Sequence, residues 1–235
     1  MGISRSGAAT TLIVGSLISL GAGALRVDGQ AGGSIKGRVM VTDAPSPRTL
    51  KVTTDDKICG PSVPDEAIVT DKSAGVAHSI VTVKGLAWSG PAVNPHIVNK
   101  GCRFNPHIAI ARPGTTLEVT SDDQTLHTTH LYGADGKSIF NIALPMPGMM
   151  IKRPFEKNTG VLRLACDTHP WMHGFVAVSQ DRGVVTGSDG VFQIDDVPPG
   201  TREVSVWHES LKGASQSVTV VAGEAVEVRF VLAAH

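Results

Sequence analysis

The stretch LACDTHPWMHGFVAV, residues 164–178, places a short polar turn between two apolar runs. Cys166, His169 and Met172 stand at even intervals of three within it. Leu164 has the same parity as Cys166, so a strand that faces the core would end in a sulfur atom. Pro170 stiffens the turn, which predicts that a thiol, an imidazole and a thioether meet at one point.

Strand-like segments recur along the rest of the chain. No window shows sustained 3.6-residue apolar periodicity, and short apolar runs are separated by Gly, Pro, Asn or Asp. This spacing predicts an all-β fold built of antiparallel sandwiches. The clearest predicted strands cover residues 34–41, 78–85, 115–121, 160–166, 174–179, 202–208, 217–223 and 225–232.

Composition and charge exclude several classes of function. The 235 residues suffice for one large or two modest domains, and Lys+Arg equals Asp+Glu at 21 each. Such a balance excludes a nucleic-acid partner. The sequence has no H-E-x-x-H, G-x-S-x-G or P-loop motif, so we expect a protein that is not an enzyme.

The first 31 residues have the outline of a secretory signal peptide. Arg5 precedes an apolar core at 12–20, and small-residue exits follow at Ala24 and Ala31. We therefore expect cleavage after Ala24 or Ala31, a periplasmic or secreted protein, and no membrane span in the mature form. A retained N-terminal anchor is the alternative.

The donors of the opening stretch suit a particular metal. A thiolate, an imidazole and a thioether together favour copper that changes oxidation state, whereas structural zinc prefers closed Cys/His sets. A trigonal copper site needs a second imidazole, and His127 and His130 are the upstream candidates. In an extended run they lie on opposite faces, so only one of them points at the metal.

These residues carry a resemblance to a known family. The Cys-x2-His-x2-Met loop resembles that of the cupredoxins and is amicyanin-like. CRFNPHIAIARPGTTLEVTSDDQTLH followed by CDTHPWM is similar to exported proteins that join a cupredoxin domain to a carboxypeptidase regulatory-like module, over roughly residues 57–232. The resemblance implies a Greek-key β-sandwich with one type 1 copper ion that shuttles single electrons between redox partner proteins.

The family roles can be carried over residue by residue. Cys166 would be the thiolate ligand, His127 and His169 the imidazole ligands, and Met172 the weak axial ligand. One position departs from the family, because Thr128 follows the upstream histidine where Asn or Ser is common. Its hydroxyl can make one hydrogen bond but lacks the second group of an amide.

Other donors remain alternatives at this stage. His173 is a rival to Met172 as axial ligand, although on the return strand it should face away, and His130 is a rival to His127. We interpret His107 as a satisfied histidine at a strand start, with a metal role as the lesser alternative. The histidines without a partner pattern are interpreted as ordinary: His78, His96, His208 and His235.

Two further features follow from the resemblance. Export oxidises accessible thiols and the copper site needs Cys166 as a free thiolate, which predicts a disulfide between Cys59 and Cys102. In cupredoxins an apolar patch surrounds an exposed imidazole edge. Pro170 and Trp171 would form that patch, and electrons would pass through His169.

We divide the chain into the signal peptide 1–31, an N-terminal β extension at 32–75, a cupredoxin domain at 76–179 and a carboxypeptidase regulatory-like module at 181–235. The resemblance of DGVFQIDDVPPG to that module implies a small transthyretin-like sandwich that would dock a protein or an envelope glycan. About 55 residues are few for an independent core, so it either packs on the preceding domain or borrows a strand from residues 34–54. The sequence leaves both possibilities open.

Two rival functions complete the predictions. The loop LPMPGMMIKRPF presents Met146, Met149 and Met150, and exposed methionines can bind Cu(I), which suits a periplasmic copper carrier with His and Met donors. The other rival is a structural or interaction protein with incidental metal.

Overall fold

The computed structural model describes residues 1–3 and 31–234. The signal-peptide prediction for residues 1–31 lies almost wholly outside them. Within the described part there are eighteen strands and one short helix, which confirms the all-β prediction. In chain order they are β1 (Gly33–Val41), β2 (Thr49–Lys51), α1 (Asp56–Cys59), β3 (Ser62–Pro64), β4 (Ile80–Val83), β5 (His96–Asn99), β6 (Phe104–Asn105), β7 (Ile108–Ala111), β8 (Thr116–Ser121), β9 (His127–Tyr132), β10 (Ser138–Leu144), β11 (Met150–Pro154), β12 (Gly160–Ala165), β13 (His173–Val178), β14 (Gly183–Val185), β15 (Val191–Val197), β16 (Gly200–Trp207), β17 (Ala214–Val220) and β18 (Ala225–Leu232).

The first sandwich pairs a five-stranded sheet, in the order β10-β9-β12-β13-β7, with a four-stranded sheet, in the order β11-β8-β5-β6. Alternate residues of the central strands point inward, so β8 and β9 each bury every second side chain. Leu117, Leu131, Leu162 and Val176 lie in the shared core. The candidate metal donors lie at the edge of this core, where β9 begins and β12 ends.

The second sandwich contains two strands from well before the C-terminal module. Its sheets have the orders β15-β1-β18 and β14-β4-β16-β17, so β1 and β4 each lie between two C-terminal strands. β1 runs parallel to β18 over eight residue pairs from Ser34↔Ala225 to Val41↔Leu232. The C-terminal module therefore borrows β1, which resolves the open choice for that part of residues 34–54.

The strand pairing also differs from the predicted division at residue 76. β4 pairs with β14 and β16, so it belongs to the second sandwich although the cupredoxin domain was predicted to start before it. Its sequence, IVTV, is apolar apart from Thr82 and would suit a strand of either sandwich. Only the long-range pairing assigns the strand, because the local pattern carries no information on its partner.

Residues 49–64 form a strap over one end of the first sandwich. The strap contains the β2–β3 hairpin and α1, and it buries Val52, Cys59 and Val63 against the first core. The disulfide between Cys59 and Cys102 ties it down, across a sequence separation of 43 residues. The predicted pairing is therefore present, and Cys166 is the free, buried cysteine of the described residues.

The two sandwiches meet through a small apolar junction. Ile108 and Ala177 of the first sandwich cluster with Ile80 of the second. Phe175 and Trp207 pack edge to face across it, with their ring centroids 5.3 Å apart. Among the described residues, no helix has the length and apolar character that crossing a membrane requires.

Candidate metal centre

Three buried donor atoms converge at the end of β12. Cys166 Sγ lies 3.9 Å from His127 Nδ1 and 3.6 Å from His169 Nδ1, and the two Nδ1 atoms lie 3.0 Å apart. Both imidazoles are completely buried, and Cys166 is 3% exposed. A thiol and two imidazoles therefore form a closed triangle that water does not reach.

A carboxylate fixes the orientation of each imidazole. His127 Nε2 lies 3.0 Å from Asp123 Oδ2, and His169 Nε2 lies 3.0 Å from Asp55 Oδ2. Since each Nε2 is engaged outside, each Nδ1 is turned toward Cys166. Carboxylate partners of this kind are typical of histidines that ligate metals, because they set the tautomer and hold the ring.

The two carboxylates are themselves held in place. Asp123 accepts hydrogen bonds from the backbone N–H groups of Gly101 and Cys102, at 2.7 and 2.8 Å. Asp55 accepts one from the Thr125 hydroxyl at 2.9 Å. The pKa of both carboxyl groups lies below the ordinary value, and for Asp55 the Thr125 hydrogen bond is the largest cause. For Asp123 burial raises the pKa, but the hydrogen bonds with His127 and with the two backbone amides lower it by more.

The surroundings favour the thiolate form of Cys166. Burial alone raises the pKa of the thiol, but hydrogen bonds with His127, Thr168 and the Thr128 backbone lower it to about 5. For His127 burial lowers the pKa, whereas Asp123 and Cys166 raise it to about 9. The site thus supplies the anionic sulfur that a soft metal ion requires.

The Thr128 hydroxyl connects the start of β9 to the turn after β12. Its Oγ1 accepts a 2.7 Å hydrogen bond from the backbone N–H of Asp167, and its own backbone N–H points at Cys166 Sγ at 3.3 Å. The start of β9 and the turn after β12 are therefore joined by one side chain. Threonine thus maintains the link between the ligand loops despite its departure from the family pattern.

Met172 lies in the core directly beneath the turn. Its side chain is 2% exposed, and its backbone closes the loop through bonds from Cys166 N to Met172 O and from Met172 N to His169 O. His173, the rival axial donor, points away toward Glu209, 3.1 Å from His173 Nε2. This fits the expectation that the return strand turns His173 away from the donors.

Strand alternation also separates the two upstream histidines. His127 is buried beside Cys166, whereas His130 bonds to Asp167 and Ser138 on the outer face of the sheet. The predicted set of His127, Cys166 and His169 is therefore brought together, and His130 is not part of it. The assignment of these residues as ligands remains a prediction.

The donor set fits a copper ion. Ligands at the usual distances of about 2.0–2.3 Å in a trigonal plane lie about 3.5 Å apart, close to the separations of 3.0 to 3.9 Å given above. Thiolate and imidazole donors suit both Cu(I) and Cu(II). The residues therefore need little rearrangement to hold the ion.

The surface around the site differs from the expected partner patch. Pro170 is exposed, but Trp171 is 9% exposed and donates a hydrogen bond from Nε1 to the carbonyl of Cys102. His169 has no exposed edge, because Asp55 and the strap cover it. The prediction of an exposed Pro170–Trp171 patch is therefore wrong for Trp171, since the disulfide-bound strap occupies that face.

A second cluster was missed by the sequence reasoning. His107 and His173 flank Glu209, and the ligating atoms of these three residues lie within 4.8 Å of one another. The ring of His78 lies 5.0 Å from that of His107. From the sequence His107 is interpreted as satisfied and His78 as ordinary, but in the structure the Nδ1 atom of each is buried without a hydrogen-bond partner. The His208-Glu209 dipeptide after β16 was the available signal.

A comparison with known protein families identifies the C-terminal module. Residues 174–233 match the model of the carboxypeptidase regulatory-like domain, which confirms the C-terminal module. That match omits β1 and β4, which complete the sandwich. No curated protein matches the chain.

Solved structures similar to this chain include a purple cupredoxin, amicyanins and a copper-containing nitrite reductase. A purple cupredoxin from Nitrosopumilus maritimus is 29% identical, with 37% of this chain and 100% of that chain covered and a TM-score of 0.32. Amicyanin from Paracoccus versutus is 17% identical, with coverages of 42% and 97% and a TM-score of 0.33. A copper-containing nitrite reductase from Thermus scotoductus SA-01 is 21% identical, with coverages of 42% and 25% and a TM-score of 0.31.

Proposed function

We propose that this chain is an exported mononuclear type 1 copper protein that shuttles single electrons between redox partner proteins. The observation that carries the proposal is the buried triangle of Cys166 Sγ and the Nδ1 atoms of His127 and His169. Copper bound there would take up and release one electron without a substrate. Such a protein would not turn over a substrate, and it would be periplasmic or secreted.

The residues of the site are suited to transfer with little rearrangement. Asp123 and Asp55 hold the two imidazoles from behind, and the Thr128 amide and hydroxyl fix the position of the thiolate and its turn. A rigid, dry arrangement keeps the donors in one geometry for both oxidation states. The chain therefore supplies positioning and water exclusion.

The test is a visible spectrum of the mature protein with one equivalent of Cu(II). A copper–thiolate bond gives an intense charge-transfer band, and its position distinguishes a blue site from a purple or red one. Copper that binds without such a band would contradict the proposal.

Met172 provides a finer test of the ligand set. If its thioether is the axial donor, Met172→Leu keeps the colour and raises the reduction potential, because loss of an axial donor disfavours Cu(II) more than Cu(I). Protein-film voltammetry measures the shift. His173→Gln is the matched control, since His173 faces Glu209, and it should leave the potential nearly unchanged.

A copper carrier is the second candidate, favoured by two exposed methionines. Met146, which precedes β11 of the first sandwich, is 60% exposed, and Met150, its first residue, is 48% exposed. A carrier that uses these thioethers would be nearly colourless and would pass Cu(I) to an acceptor. Retention of Cu(I) by a Cys166→Ser variant, lost in a Met146→Leu/Met150→Leu variant, would place the carrier ahead.

A further inference from the structure

A second group of metal-binding side chains lies at the junction of the two sandwiches. His107 precedes β7 and His173 begins β13, so both belong to the first sandwich. Glu209 comes from the loop after β16 in the second sandwich. One oxygen of Glu209 bonds to His107 Nε2 and the other lies 3.1 Å from His173 Nε2.

Backbone packing brings the two histidines together. The N–H of Phe175 donates to the carbonyl of His107 at 2.9 Å. Gly174 permits this approach, because a Cβ at that position would lie 2.7 Å from the same carbonyl oxygen. A side chain at Gly174 would push β13 away and separate His173 from His107.

The hydrogen-bond pattern of the cluster requires a positive charge beside Glu209. His173 directs Nδ1 at the Trp171 carbonyl and Nε2 at Glu209, so both nitrogens face acceptors. If His107 donates from Nε2 to Glu209, its Nδ1 remains buried without a partner, 3.9 Å from Glu66. The Glu209 carboxylate and the imidazole lone pairs that face it are all acceptors. They therefore require a positive charge between them, supplied either by protons or by a metal ion.

We propose that His107, His173 and Glu209 form a second metal site that binds a divalent first-row ion such as Zn(II) across the junction. Two imidazoles and one carboxylate are a donor set that zinc uses in sites with an open fourth position. His173 presents Nε2 to Glu209 while its Nδ1 faces the Trp171 carbonyl, an outer partner that ligating histidines commonly have. His107 also presents Nε2 to Glu209, and its Nδ1 lies 3.9 Å from Glu66, beyond hydrogen-bond distance. Imidazole and carboxylate donors are harder than a thiolate, so zinc should prefer this site and copper the Cys166 centre.

The ion would fasten the two sandwiches to each other. Two of its ligands come from the first sandwich and one from the second, and the side chains of His107 and Glu209 are 1% and 7% exposed. Bound metal would stabilise the docked arrangement, since an ion that binds only the native state shifts unfolding by mass action. The site is independent of the proposed copper centre, whose donors it does not share.

The test is a titration of the full mature protein with Zn(II) after one equivalent of Cu(II) has been bound. We expect one further equivalent of zinc, an unchanged visible spectrum and a raised unfolding temperature. Glu209→Gln and His107→Gln should weaken zinc binding at least about 100-fold, because outer partners alone already change metal affinity about 10–100-fold. His96→Gln, an exposed histidine bonded to Thr120, is the matched control and should bind zinc as the wild type does.

Two measurements keep the test independent of folding defects and of the copper site. Co(II) added to the wild-type protein loaded with copper should give the d–d spectrum of a four-coordinate N/O site without thiolate charge transfer. Cys166→Ser protein should bind zinc with the same affinity. Absence of a second equivalent in the wild type, or equal loss in His96→Gln, would overturn the proposal.

Discussion

The two imidazoles of the candidate copper centre are held by the same bond but by different parts of the molecule. His127 Nε2 and His169 Nε2 each lie 3.0 Å from a carboxylate oxygen. On the His127 side, Asp123 has a side chain that is 11% exposed, and backbone amides of the first sandwich hold it. On the His169 side, Asp55 is 44% exposed and belongs to the strap.

The disulfide connects these two supports. Cys102 donates its backbone N–H to Asp123, and it is bonded through sulfur to Cys59, whose own N–H donates to the Asp55 carbonyl. One covalent bond therefore links the groups behind both histidines. The His127 imidazole is therefore fixed by the sheet itself, whereas the His169 imidazole depends on an added segment that needs a tether.

The largest effect is expected for Cys166, whose sulfur lies beside both imidazoles. Cys166→Ser should abolish the visible band outright, because the band arises from the copper–sulfur bond and an alcohol oxygen does not replace it. Absorption spectroscopy with one equivalent of Cu(II) measures this. His130→Ala is the control, since His130 lies on the other face of β9, and its spectrum should match the wild type. An unaltered band in Cys166→Ser would refute the ligand set.

Removal of the tether should have the next largest effect. A Cys59→Ser/Cys102→Ser variant should lose about 4 kcal/mol of the free energy of unfolding, the chain-entropy value for a loop of this length. Denaturant unfolding of the metal-free protein measures the loss. Cys166→Ser, which keeps the disulfide, is the control and should lose much less. Equal stability of the double variant and the wild type would show that the strap stays in place without its tether.

The carboxylates test the comparison most directly. Asp123→Ala should weaken copper binding about 10–100-fold, as loss of an outer partner commonly does. Asp55→Ala should weaken it by less than about 10-fold, because water can reach that position and replace the carboxylate. Competition with a chelator gives both affinities. A larger loss for Asp55→Ala would reverse the ranking of the two sides.

The smallest effect is expected at the link between the ligand loops. Thr128→Val removes the hydroxyl that accepts the Asp167 N–H and should cost about 1 kcal/mol of the free energy of unfolding. Thermal unfolding of the metal-free protein measures it. Thr128→Asn should restore most of the loss, because its amide oxygen also accepts. If valine were neutral, water would be satisfying the Asp167 N–H.

Much of the site was predictable because its members are close in sequence. Cys166, His169 and Met172 occupy one turn, so any hairpin at residues 164–178 brings them near each other. Alternation along β9 left His127 and His130 as candidates for the second imidazole, and the burial of the His127 side chain in the structure selects His127. Asp55 was not predictable, since it lies 114 residues from its partner His169 and gives no local pattern. Because the position of Asp55 was not predictable, the burial of His169 was not predicted either.

The sequence alone determined the features that depend on neighbours along the chain: the β class, the strand positions and the turn that carries Cys166 and His169. The tertiary structure decided which distant segments meet. It placed β1 and β4 in the second sandwich, the strap over His169, and Glu209 beside His107, which is 102 residues away. The physical reason is that apolar alternation specifies a buried face but not the strand that pairs with it. Long-range pairing is selected only by the packing of the whole core.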